Sequence, residues 1–370
     1  MKMVLLTDVC DIQYGYPFDS SKFNDSQGMP LIRIRDVVRG FSETYTTEEV
    51  AKEYIITEGE LLIGMDGEFN ISRWGKKPAL LNQRVCHLIP KKVDKGYLFY
   101  LMPSILKRIE NKTSFVTVKH LSAKELNKVV IPLPELDVQQ KISIILDKLD
   151  SLIARRREQL AGLDALVKAR FVEMFGDPVS NPMGLPKTTL LEIGEFGRGV
   201  SKHRPRNDPD LLGGRYPLIQ TGDVAEADLY IKKYTRTYSE LGLAQSKMWK
   251  KGTLCITIAA NIAKTAILNF DACFPDSVVG FIANENANNI YVHYWFSFFQ
   301  KILEAQAPES AQKNINLKIL SELEIVCPSR KAQDEFADFV SRVDRTRESV
   351  QAGLAELETL KRSLMQTYFG

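Results

Sequence analysis

The sequence lacks a long hydrophobic run, which argues against a membrane-spanning helix. No apolar stretch reaches the roughly 18 residues that a span requires. The longest extends from Tyr291 to Phe299 and is interrupted by His293. The apolar stretch within the segment from Met1 to Asp8 is too short for a secretory signal. We therefore expect a cytoplasmic protein that has no membrane partner.

The numbers of cysteine and histidine residues and the net charge are also low. The 370 residues include five cysteines, none in a CxxC pair, and four scattered histidines. This usage predicts reduced, mostly buried thiols and gives little support to a zinc site. The formal net charge is only +3. A role in binding nucleic acid must therefore rest on local basic patches.

The motifs of common enzyme classes are absent as well. The sequence has no GxxxxGK[ST] loop, no GxSxG elbow and no nuclease-type Pro-Asp followed by Glu-x-Lys at workable spacing. The segment 181–184 resembles the start of the Asn-Pro-Pro-aromatic motif of amino methyltransferases, but it lacks the second proline and the aromatic residue. These absences argue only moderately against an enzyme, because an active site can also be assembled from scattered residues. We expect no metal and no cofactor on this chain.

An internal repeat is the most informative feature that is present. The segment Pro30–Val37 reads against Pro217–Val224, a shift of about 187 positions, and near the end of each half the shift is about 194. Residues matched at the later shift include Leu126 with Leu320, Gln139 with Gln333, Asp150 with Asp344, and Gly176 with Gly370. The chain therefore consists of two copies of one unit, each closed by a long helix.

The repeat predicts the domain organisation. Short β-branched and aromatic runs such as Leu31–Ile34, Glu60–Met65 and Arg84–Ile89 alternate with turn residues, and helical patterns follow at Gly96–Glu110 and Ile290–Leu303. This is an α+β class. The predicted bounds are a globular domain at 1–134, a helix at 135–176, a linker rich in proline and glycine at 177–187, a second globular domain at 188–328 and a second helix at 329–370.

The two long helices have the apolar spacing of a coiled coil. The pattern predicts helices over about Val138–Phe175 and Ala332–Tyr368. Arg156 and Arg170 interrupt the apolar seam of the first helix, and Arg347 that of the second. Because each helix has an arginine where the other has an aliphatic residue, the pattern favours pairing of the two helices with each other. The alternative is that these arginines extend to solvent.

Clusters of basic and amide side chains occur in both halves. Arginine suits guanine, asparagine and glutamine suit adenine, and lysine or arginine neutralises phosphates. Asn82-Gln83-Arg84 forms one small group of this kind. The candidate DNA contacts are Arg33, Arg35, Arg39, Asn70, Arg73, Trp74, Lys76, Lys77, Lys119, His120, Lys202, His203, Arg204, Arg206, Gln220, Asn261, Lys264, Gln312, Lys313 and Asn314.

Each of these residues also has a simpler interpretation. A single charged residue is more often a solvated surface group, and Trp74 is more often part of a core than a group that stacks on a base. If the first strand is regular, Arg33 and Arg35 share one of its faces. Taken together, the clusters favour contact with nucleic acid.

The ordered set of these features resembles the specificity (S) subunits of type I restriction-modification systems. The similar segments are Thr117–Ser122, the proline-rich Ile131–Pro134, Gln139–Ile142, the helix that ends at Phe175-Gly176-Asp177-Pro178, and a second copy from Gln312 onward. Asn82-Gln83, followed by Ile89-Pro90, is similar to a sequence common in the target recognition domains of that family. The second copy departs from the pattern at Val326-Cys327-Pro328-Ser329 and at Asp334.

The resemblance implies a non-catalytic reader of double-stranded DNA. Each globular domain would be a target recognition domain for one half of a bipartite site, and the two long helices would pair antiparallel in a pseudo-twofold arrangement. Two modification subunits would bind S-adenosylmethionine and methylate adenine, and restriction subunits would join for cleavage. The alternatives are a coiled-coil scaffold that binds only proteins, and an autonomous nuclease, which the missing metal carboxylates disfavour.

Overall fold

The chain folds into two compact units that both include parts of the long helices. In a computed structural model, which describes residues 2–75, 77–112, 119–259, 262–299 and 317–370, one unit comprises Met1–Arg157 with Gly353–Gly370. The other unit, which we call unit 2, comprises Glu158–Ala352. We call the first of these unit 1. The division falls inside both long helices, so each unit combines a globular part with one segment of each helix.

Unit 1 is built on one antiparallel sheet and one mixed sheet. Its strands are β1 Lys2–Leu5, β2 Cys10–Tyr14, β3 Phe23–Asn24, β4 Met29–Ile32, β5 Tyr45–Thr46, β6 Ile55–Ile56, β7 Leu61–Gly64, β8 Asn70–Arg73, β9 Ala79–Leu81, β10 Val85–Pro90 and β11 Val130–Leu133. One sheet has the order β2-β10-β7-β8, another has the order β3-β5-β4-β9-β6, and β1 pairs with β11. Helices of this unit are α1 Ile34–Arg39, α2 Lys95–Lys112, α3 Ala123–Leu126 and the first part of α4 Leu136–Phe175, together with the last part of the second long helix, from Gly353 on.

Unit 2 repeats this plan. Its strands are β12 Lys187–Thr189, β13 Gly194–Arg198, β14 Leu212–Leu218, β15 Tyr230–Ile231, β16 Arg236–Tyr238, β17 Met248–Trp249, β18 Leu254–Thr257, β19 Thr265–Leu268, β20 Ala272–Cys273, β21 Val278–Ala283 and β22 Glu324–Val326. They form sheets of order β13-β21-β18-β19-β15, β16-β14-β20-β17 and β12-β22. The helices are α5 Thr221–Glu226, α6 Glu240–Ala244, α7 Asn289–Trp295, α8 Leu317–Glu322 and the first part of α9 Arg330–Phe369.

We call β2-β10-β7-β8 the main sheet of unit 1 and β13-β21-β18-β19-β15 the main sheet of unit 2. In each unit the core lies between the main sheet and the helices. In unit 1, Leu61 and Leu88 of the sheet pack with Leu98 of α2 and with Leu146 of α4. In unit 2, aromatic side chains fill the same role, because Phe171 of α4, Phe336 of α9 and Tyr291 of α7 belong to one buried cluster with Phe281 of β21. Burial of such apolar surface is the main favourable term in folding.

A buried glutamine fastens each long helix to its globular part. Gln139 accepts a hydrogen bond from the backbone N–H of Asp94 at 2.8 Å and donates one to the carbonyl of Pro134 at 2.8 Å. Its repeat partner Gln333 accepts from the N–H of Asn288 at 2.9 Å and donates to the carbonyl of Pro328 at 2.9 Å. Because the same contacts are made in both copies, the match of Gln139 with Gln333 in the sequence has a structural cause.

The two long helices pair antiparallel in each unit. In unit 1, Asp150 accepts from Lys361 at 2.5 Å and Arg157 donates to Glu358 at 2.7 Å. In unit 2, Arg347 lies 2.6 Å from Asp164. In unit 1, rising numbers in α4 meet falling numbers in α9. In unit 2, Phe171 meets Phe336 with ring centroids 5.5 Å apart, which together with the Asp164–Arg347 pair gives the same direction. The apolar spacing predicted that the helices pair, and the family resemblance implied the antiparallel direction. Arg347 does not extend to solvent, because only 9% of its side chain is exposed.

The predicted elements agree with the structure except at some of their ends. The strand predicted at Leu31–Ile34 ends at Ile32, and a helix begins at Ile34. The pattern at Ile290–Leu303 forms α7, and a 3-10 turn then covers Phe296–Phe298; residues 300–303 lie outside the described ranges. None of the described helices is both long enough and apolar enough to span a membrane.

Candidate nucleic-acid interface

In each globular part, two parallel strands end side by side, and candidate residues follow them. In unit 1, Leu31 of β4 lies beside Leu80 of β9 in a parallel pair. Arg33 follows the first strand and Arg84 follows the second by a short turn. In unit 2, Leu218 of β14 lies beside Cys273 of β20 in the same way. Neighbouring strands are about 4.8 Å apart, so the segments that follow them start at one edge of the sheet.

The first cluster of candidates, Arg33, Arg35 and Arg39, lies at the start of a helix and along it, not on a strand. The backbone N–H of Arg33 donates to the buried carboxylate of Asp36 at 2.9 Å, which starts α1 directly after β4. The expectation that Arg33 and Arg35 share a strand face is therefore wrong. Arg35 and Arg39 lie one turn apart on α1, and Arg39 is paired with Glu43 at 3.7 Å. All three arginines are exposed.

The second cluster of candidates consists of Asn70, Arg73, Trp74, Lys76 and Lys77. A glycine contact places part of it beside α1. A Cβ atom at Gly75 would lie 2.1 Å from the carbonyl oxygen of Gly40, the residue that ends α1. This close approach of two backbones requires glycine. Lys77 follows Gly75 by two residues and is exposed. The contact therefore places Lys77 near the end of α1, which carries the exposed Arg35 and Arg39. Lys76 lies outside the described residues.

Three other residues of the second cluster have internal contacts. Trp74 is 3% exposed, belongs to the core, and donates from Nε1 to the carbonyl of Lys77 at 2.7 Å. Arg73 forms an ion pair with Asp147 of α4 at 2.7 Å and its guanidinium lies over the Phe99 ring. Asn70 donates to the carbonyl of Glu68 at 3.0 Å. The structure therefore assigns Trp74 to the core, which corrects its place among the DNA contacts, and gives Arg73 and Asn70 structural contacts.

Lys119 and His120 lie next to a turn of the main sheet. His120 forms an isolated bridge with Asp66, and its Nδ1 lies 2.6 Å from the Asp66 carboxylate. Arg84 approaches the same two groups, with Nε 3.8 Å from Asp66 and Nη1 3.2 Å from His120 Nδ1. Lys119 is mostly covered and is paired with Glu110 at 3.6 Å. Asp66, Arg84 and His120 therefore form one exposed polar group.

In unit 2, Lys202, His203, Arg204 and Arg206 lie in one loop, which we call the basic loop. Side chains from elsewhere in the unit hold this loop in place. The Gln245 carboxamide accepts from the backbone N–H groups of Lys202 and His203 at 2.7 and 3.1 Å. Arg206 donates to Asp276 at 2.6 Å, and Arg204 donates to the carbonyls of Ser201 and His203. The loop therefore has a defined shape, and its basic side chains are exposed.

Hydrogen bonds within this loop lower the pKa of Asp208. The pKa of Asp208 lies below its usual value, first because the backbone N–H of Asp210 donates to the carboxylate and then because His203 lies 3.0 Å away. The carboxylate is therefore ionised at neutral pH and orients the His203 ring.

Two further candidates in unit 2 lie away from the loop. Gln220 begins α5, and its backbone N–H donates to Asp223 at 2.8 Å, as that of Arg33 does to Asp36. Lys264 is exposed at the start of β19 and borders a cavity of about 500 Å³ with His293 and Arg347. Asn261, Gln312, Lys313 and Asn314 lie outside the described residues.

Sequence reasoning missed the acidic partners of these arginines. Asp66 and Asp276 have no basic neighbours in the chain that would single them out, and only the fold brings them to Arg84 and Arg206. Lys247 was also missed; its ammonium lies 3.9 Å from the centre of the Trp249 ring. In the part of the chain that the structure covers, no group of three or more His, Cys, Asp or Glu residues could hold a metal ion.

Comparison with known proteins identifies the family. The model of the type I restriction modification DNA specificity domain matches residues 1–163 and 187–359. The chain is 30% identical to the EcoBI specificity subunit of Escherichia coli over 406 aligned positions, which cover 99% of this chain and 85% of that protein. It is 23% identical to the MjaVIII specificity subunit of Methanocaldococcus jannaschii, over 85% of this chain and 79% of that one.

Solved structures show the same fold. The S subunit of a type I restriction-modification system from M. genitalium superposes with a TM-score of 0.65 at 14% identity, covering 100% of this chain and 96% of that one. A chain from a type I system studied for complex assembly and conformational transition gives 0.56 at 18% identity, covering 100% of this chain and 97% of that one. Because the family match extends over both units, the chain belongs to the type I restriction-modification DNA specificity family.

Proposed function

We propose that this chain reads an asymmetric bipartite site in double-stranded DNA, with one target recognition domain for each half-site. The observation that favours this role is a shared backbone with different side chains at the candidate interface. Asp36 and Asp223 accept equivalent backbone hydrogen bonds at the starts of α1 and α5. The residues that donate them are Arg33 in unit 1 and Gln220 in unit 2.

Such a difference suits two half-sites of different sequence. Arginine pairs in bidentate fashion with guanine, and glutamine with adenine, at the edge of the major groove. Arg35 of unit 1 is likewise replaced by Gly222 in unit 2. A protein with two identical reading surfaces would instead select a palindromic site.

The proposed DNA contacts are the polar candidates of these surfaces, most of which are exposed; Lys119 and Gln220 are partly covered. We expect them to divide into groups that neutralise phosphates and groups that read bases. In unit 1 they are Arg33, Arg35, Arg39, Lys77, Lys119 and His120, and in unit 2 they are Lys202, His203, Arg204, Arg206, Gln220 and Lys264. Lys76, Asn261, Gln312, Lys313 and Asn314 remain candidates on sequence grounds alone.

We further propose that the chain is non-catalytic and acts with partner subunits. Two modification subunits, which would bind S-adenosylmethionine and methylate adenine, would dock on the repeated parts, because a repeated surface can bind two identical partners. Restriction subunits would join for cleavage. The EcoBI relative is named as the specificity subunit of a type I restriction enzyme, which supports a role inside such a complex.

The long helices would set the spacing between the half-sites. Each has 40 residues, and a helix of that length measures roughly 60 Å. Successive major-groove contacts on one face of DNA are about 34 Å apart. The helices are therefore long enough to separate two readers by one turn of DNA or more.

Reconstitution with purified subunits tests this role. The chain, its modification subunit and S-adenosylmethionine would be combined with a duplex library, and methylated adenines would be mapped. We expect sequence-specific methylation only when both proteins are present. Methylation by this chain alone, or unchanged specificity of the modification subunit without it, would contradict the proposal.

Binding at several salt concentrations separates the DNA reader from a protein-binding scaffold. A reader that neutralises several phosphates loses affinity steeply as salt rises, with a slope of about −0.9 for each phosphate contact. A coiled-coil scaffold would bind the modification subunit but add no affinity for the duplex at any salt concentration.

A further inference from the structure

The turn that leads into β10 in unit 1 makes the same backbone hydrogen bonds as the turn that leads into β21 in unit 2. In unit 1, the N–H of Met65 donates to the carbonyl of Arg84 at 2.9 Å, and that of Gly15 donates to Val85 at 3.1 Å. In unit 2, the N–H of Ile258 donates to Ser277 at 3.0 Å and that of Gly199 to Val278 at 2.9 Å. Arg84 and Ser277 are therefore equivalent positions, as are Gln83 and Asp276, although the repeat in the sequence is too weak here to align them.

The side chains at these equivalent positions differ. Unit 1 has Arg84 in the turn and Asp66 on the neighbouring turn, whereas unit 2 has Ser277 and Ala259 at these places. Unit 2 instead has the carboxylate of Asp276 in the turn. A structural requirement for charge would keep the same groups in both units, so the difference points to recognition.

In unit 1 the arginine of the turn is held by two neighbours. Its Nε lies 3.8 Å from Asp66, and its Nη1 lies 3.5 Å from Nε2 of His120, the ring nitrogen that is left to accept because Nδ1 lies 2.6 Å from the Asp66 carboxylate. The backbone of Arg84 has φ of +74°, a conformation that is uncommon for residues other than glycine. About half of the side chain, 53%, is exposed. The guanidinium is thus restrained by contacts and still open to solvent.

In unit 2 an arginine reaches the equivalent turn from a different part of the chain. Arg206 of the basic loop donates to the Asp276 carboxylate from Nη2 at 2.6 Å. Among the contacts within the described ranges, Nε and Nη1 of Arg206 and Nη2 of Arg84 have no hydrogen-bond partner. Both units therefore present an arginine next to a carboxylate at the same turn, although the two arginines come from unrelated sequence positions.

We propose that Arg84 and Arg206 are specificity-determining residues, each of which reads a guanine in one half-site. This inference rests on the proposed function. The turns lie at the sheet edge where β9 and β20 end, beside the strands that lead into Arg33 and Gln220. Each arginine would thus lie on the same reading surface as the first residue after the adjacent strand.

The paired carboxylate distinguishes base reading from phosphate contact. A carboxylate next to an arginine repels phosphate and cancels part of its attraction, so the pair is poorly suited to neutralising the DNA backbone. It instead fixes the guanidinium plane, which reduces the entropy lost when two N–H groups meet guanine O6 and N7.

The test is to map methylated adenines in cells that express the modification subunit with variants of this chain. Arg84→Gly removes the side chain and suits the positive φ at that position, so it is expected to fold. Arg84→Lys keeps the charge but removes the planar fork. Both variants should lose the preference for one guanine in one half-site by about 10- to 100-fold. Arg206→Lys should do the same in the other half-site only.

Two further sets of variants make the outcomes decisive. Asp66→Asn and Asp276→Asn leave each arginine in place but loosen it, and should weaken the same single-base preferences. Arg215→Ala removes another exposed arginine of unit 2 that is paired with a carboxylate, Glu240 at 2.8 Å, but lies outside the turn; it should leave the recognised sequence unchanged.

A motif that stays unchanged in Arg84→Gly while methylation falls at all sites would overturn the inference, because that result indicates phosphate contact. The proposed function would survive it. If the unaltered chain does not direct methylation to a bipartite site, the proposed function itself fails, and the inference fails with it.

Discussion

At the scale of single residues, burial decides which charged groups are structural and which can reach a ligand. Arg347 is the clearest structural case, because only 9% of its side chain is exposed and it lies 2.6 Å from Asp164 on the other long helix. Arg73 plays a similar part in unit 1 through Asp147. Arg84 and Arg206 are also paired, but they remain about half exposed. The same residue type therefore serves packing at some positions and can serve recognition at others.

Removal of the Asp164 carboxylate should destabilise unit 2. Asp164→Ala leaves the buried guanidinium of Arg347 without its nearest partner, and we expect a loss of about 1–3 kcal/mol in the free energy of unfolding, since Asp164 itself is largely exposed. The added change Arg347→Met should restore most of it, because methionine fills a similar volume without charge. Urea unfolding followed by tryptophan fluorescence measures both. Equal stability of Asp164→Ala and the unaltered chain would show that the pair contributes nothing.

His293 makes the stability of unit 2 depend on pH. Burial lowers the pKa of His293 to about 4 from its usual 6.5, and the ring shares a hydrogen bond with Thr265 at 2.9 Å. The unfolded chain therefore binds the proton at a higher pH than the folded chain does. Stability should fall by up to about 1.4 kcal/mol per pH unit as the pH drops from 6.5 towards 4.

His293→Gln is the control for this pH dependence, because glutamine can form a hydrogen bond but does not titrate in this range. As the pH falls below 6.5, the variant should lose less unfolding free energy than the unaltered chain. Above pH 6.5 the difference between the two proteins should stay constant. Parallel pH profiles for the two proteins would contradict the assignment.

At the scale of elements, the sequence predicts helices and strands well where a long pattern exists. Both long helices were predicted from their apolar spacing, and the observed bounds differ by about two residues at most. The start of α1 could not be read in this way, because Leu31–Ile34 is apolar and alternating like a strand. The decisive contact is the buried Asp36 carboxylate on the Arg33 N–H, which a pattern of residue types does not reveal.

The candidate site was predictable only in part, for a related reason. Exposed basic residues can be identified from composition, but Trp74 and Arg73 are in the same short cluster and have internal contacts. The acidic partners Asp66 and Asp276 meet their arginines across separations of many residues in the chain. Such pairs depend on strand order and turn geometry, which follow from packing of the whole unit.

The contact of Gly75, which follows β8, with Gly40, which follows α1, allows a matched pair of glycine variants. Gly75→Ala would place a Cβ atom 2.1 Å from the Gly40 carbonyl oxygen, and we expect a loss of about 1–3 kcal/mol from overpacking. Gly222→Ala lies in α5, where nothing is within 4 Å of the added atom, and should be neutral or stabilising by up to about 1 kcal/mol.

Thermal unfolding measures the stability of the two glycine variants. In DNA-binding assays, Gly75→Ala should weaken only the half-site read by unit 1, because α1 and Lys77 belong to that unit. If both variants had the same stability, the close contact at Gly75 would have no energetic weight.

At the scale of the whole molecule, the two copies share their supporting contacts and differ at the candidate interface. The buried glutamines Gln139 and Gln333 and the capping aspartates Asp36 and Asp223 make the same contacts in both copies. The residues that differ, such as Arg33 and Gln220, lie at the sheet edge. This division is what a protein needs if two identical partners must bind to similar parts while two different DNA sequences are read.

The helix lengths should determine the spacer of the DNA site. Insertion of one heptad in α4 and one in α9, at positions that face each other, keeps the apolar seam in phase. We expect the spacer between half-sites to lengthen while each half-site keeps its sequence. Insertion in α4 alone is the control, and it should disrupt pairing of the helices. An unchanged spacer in the double insertion would refute the role of the helices as spacers.

The most direct test of the central claim is a map of methylated adenines in a genome that expresses this chain with its modification subunit. The proposed arrangement predicts one motif composed of two half-sites of different sequence, separated by a spacer of fixed length, and its disappearance when the chain is deleted. A palindromic or uninterrupted motif, or methylation that persists without the chain, would contradict the claim that each unit reads its own half-site.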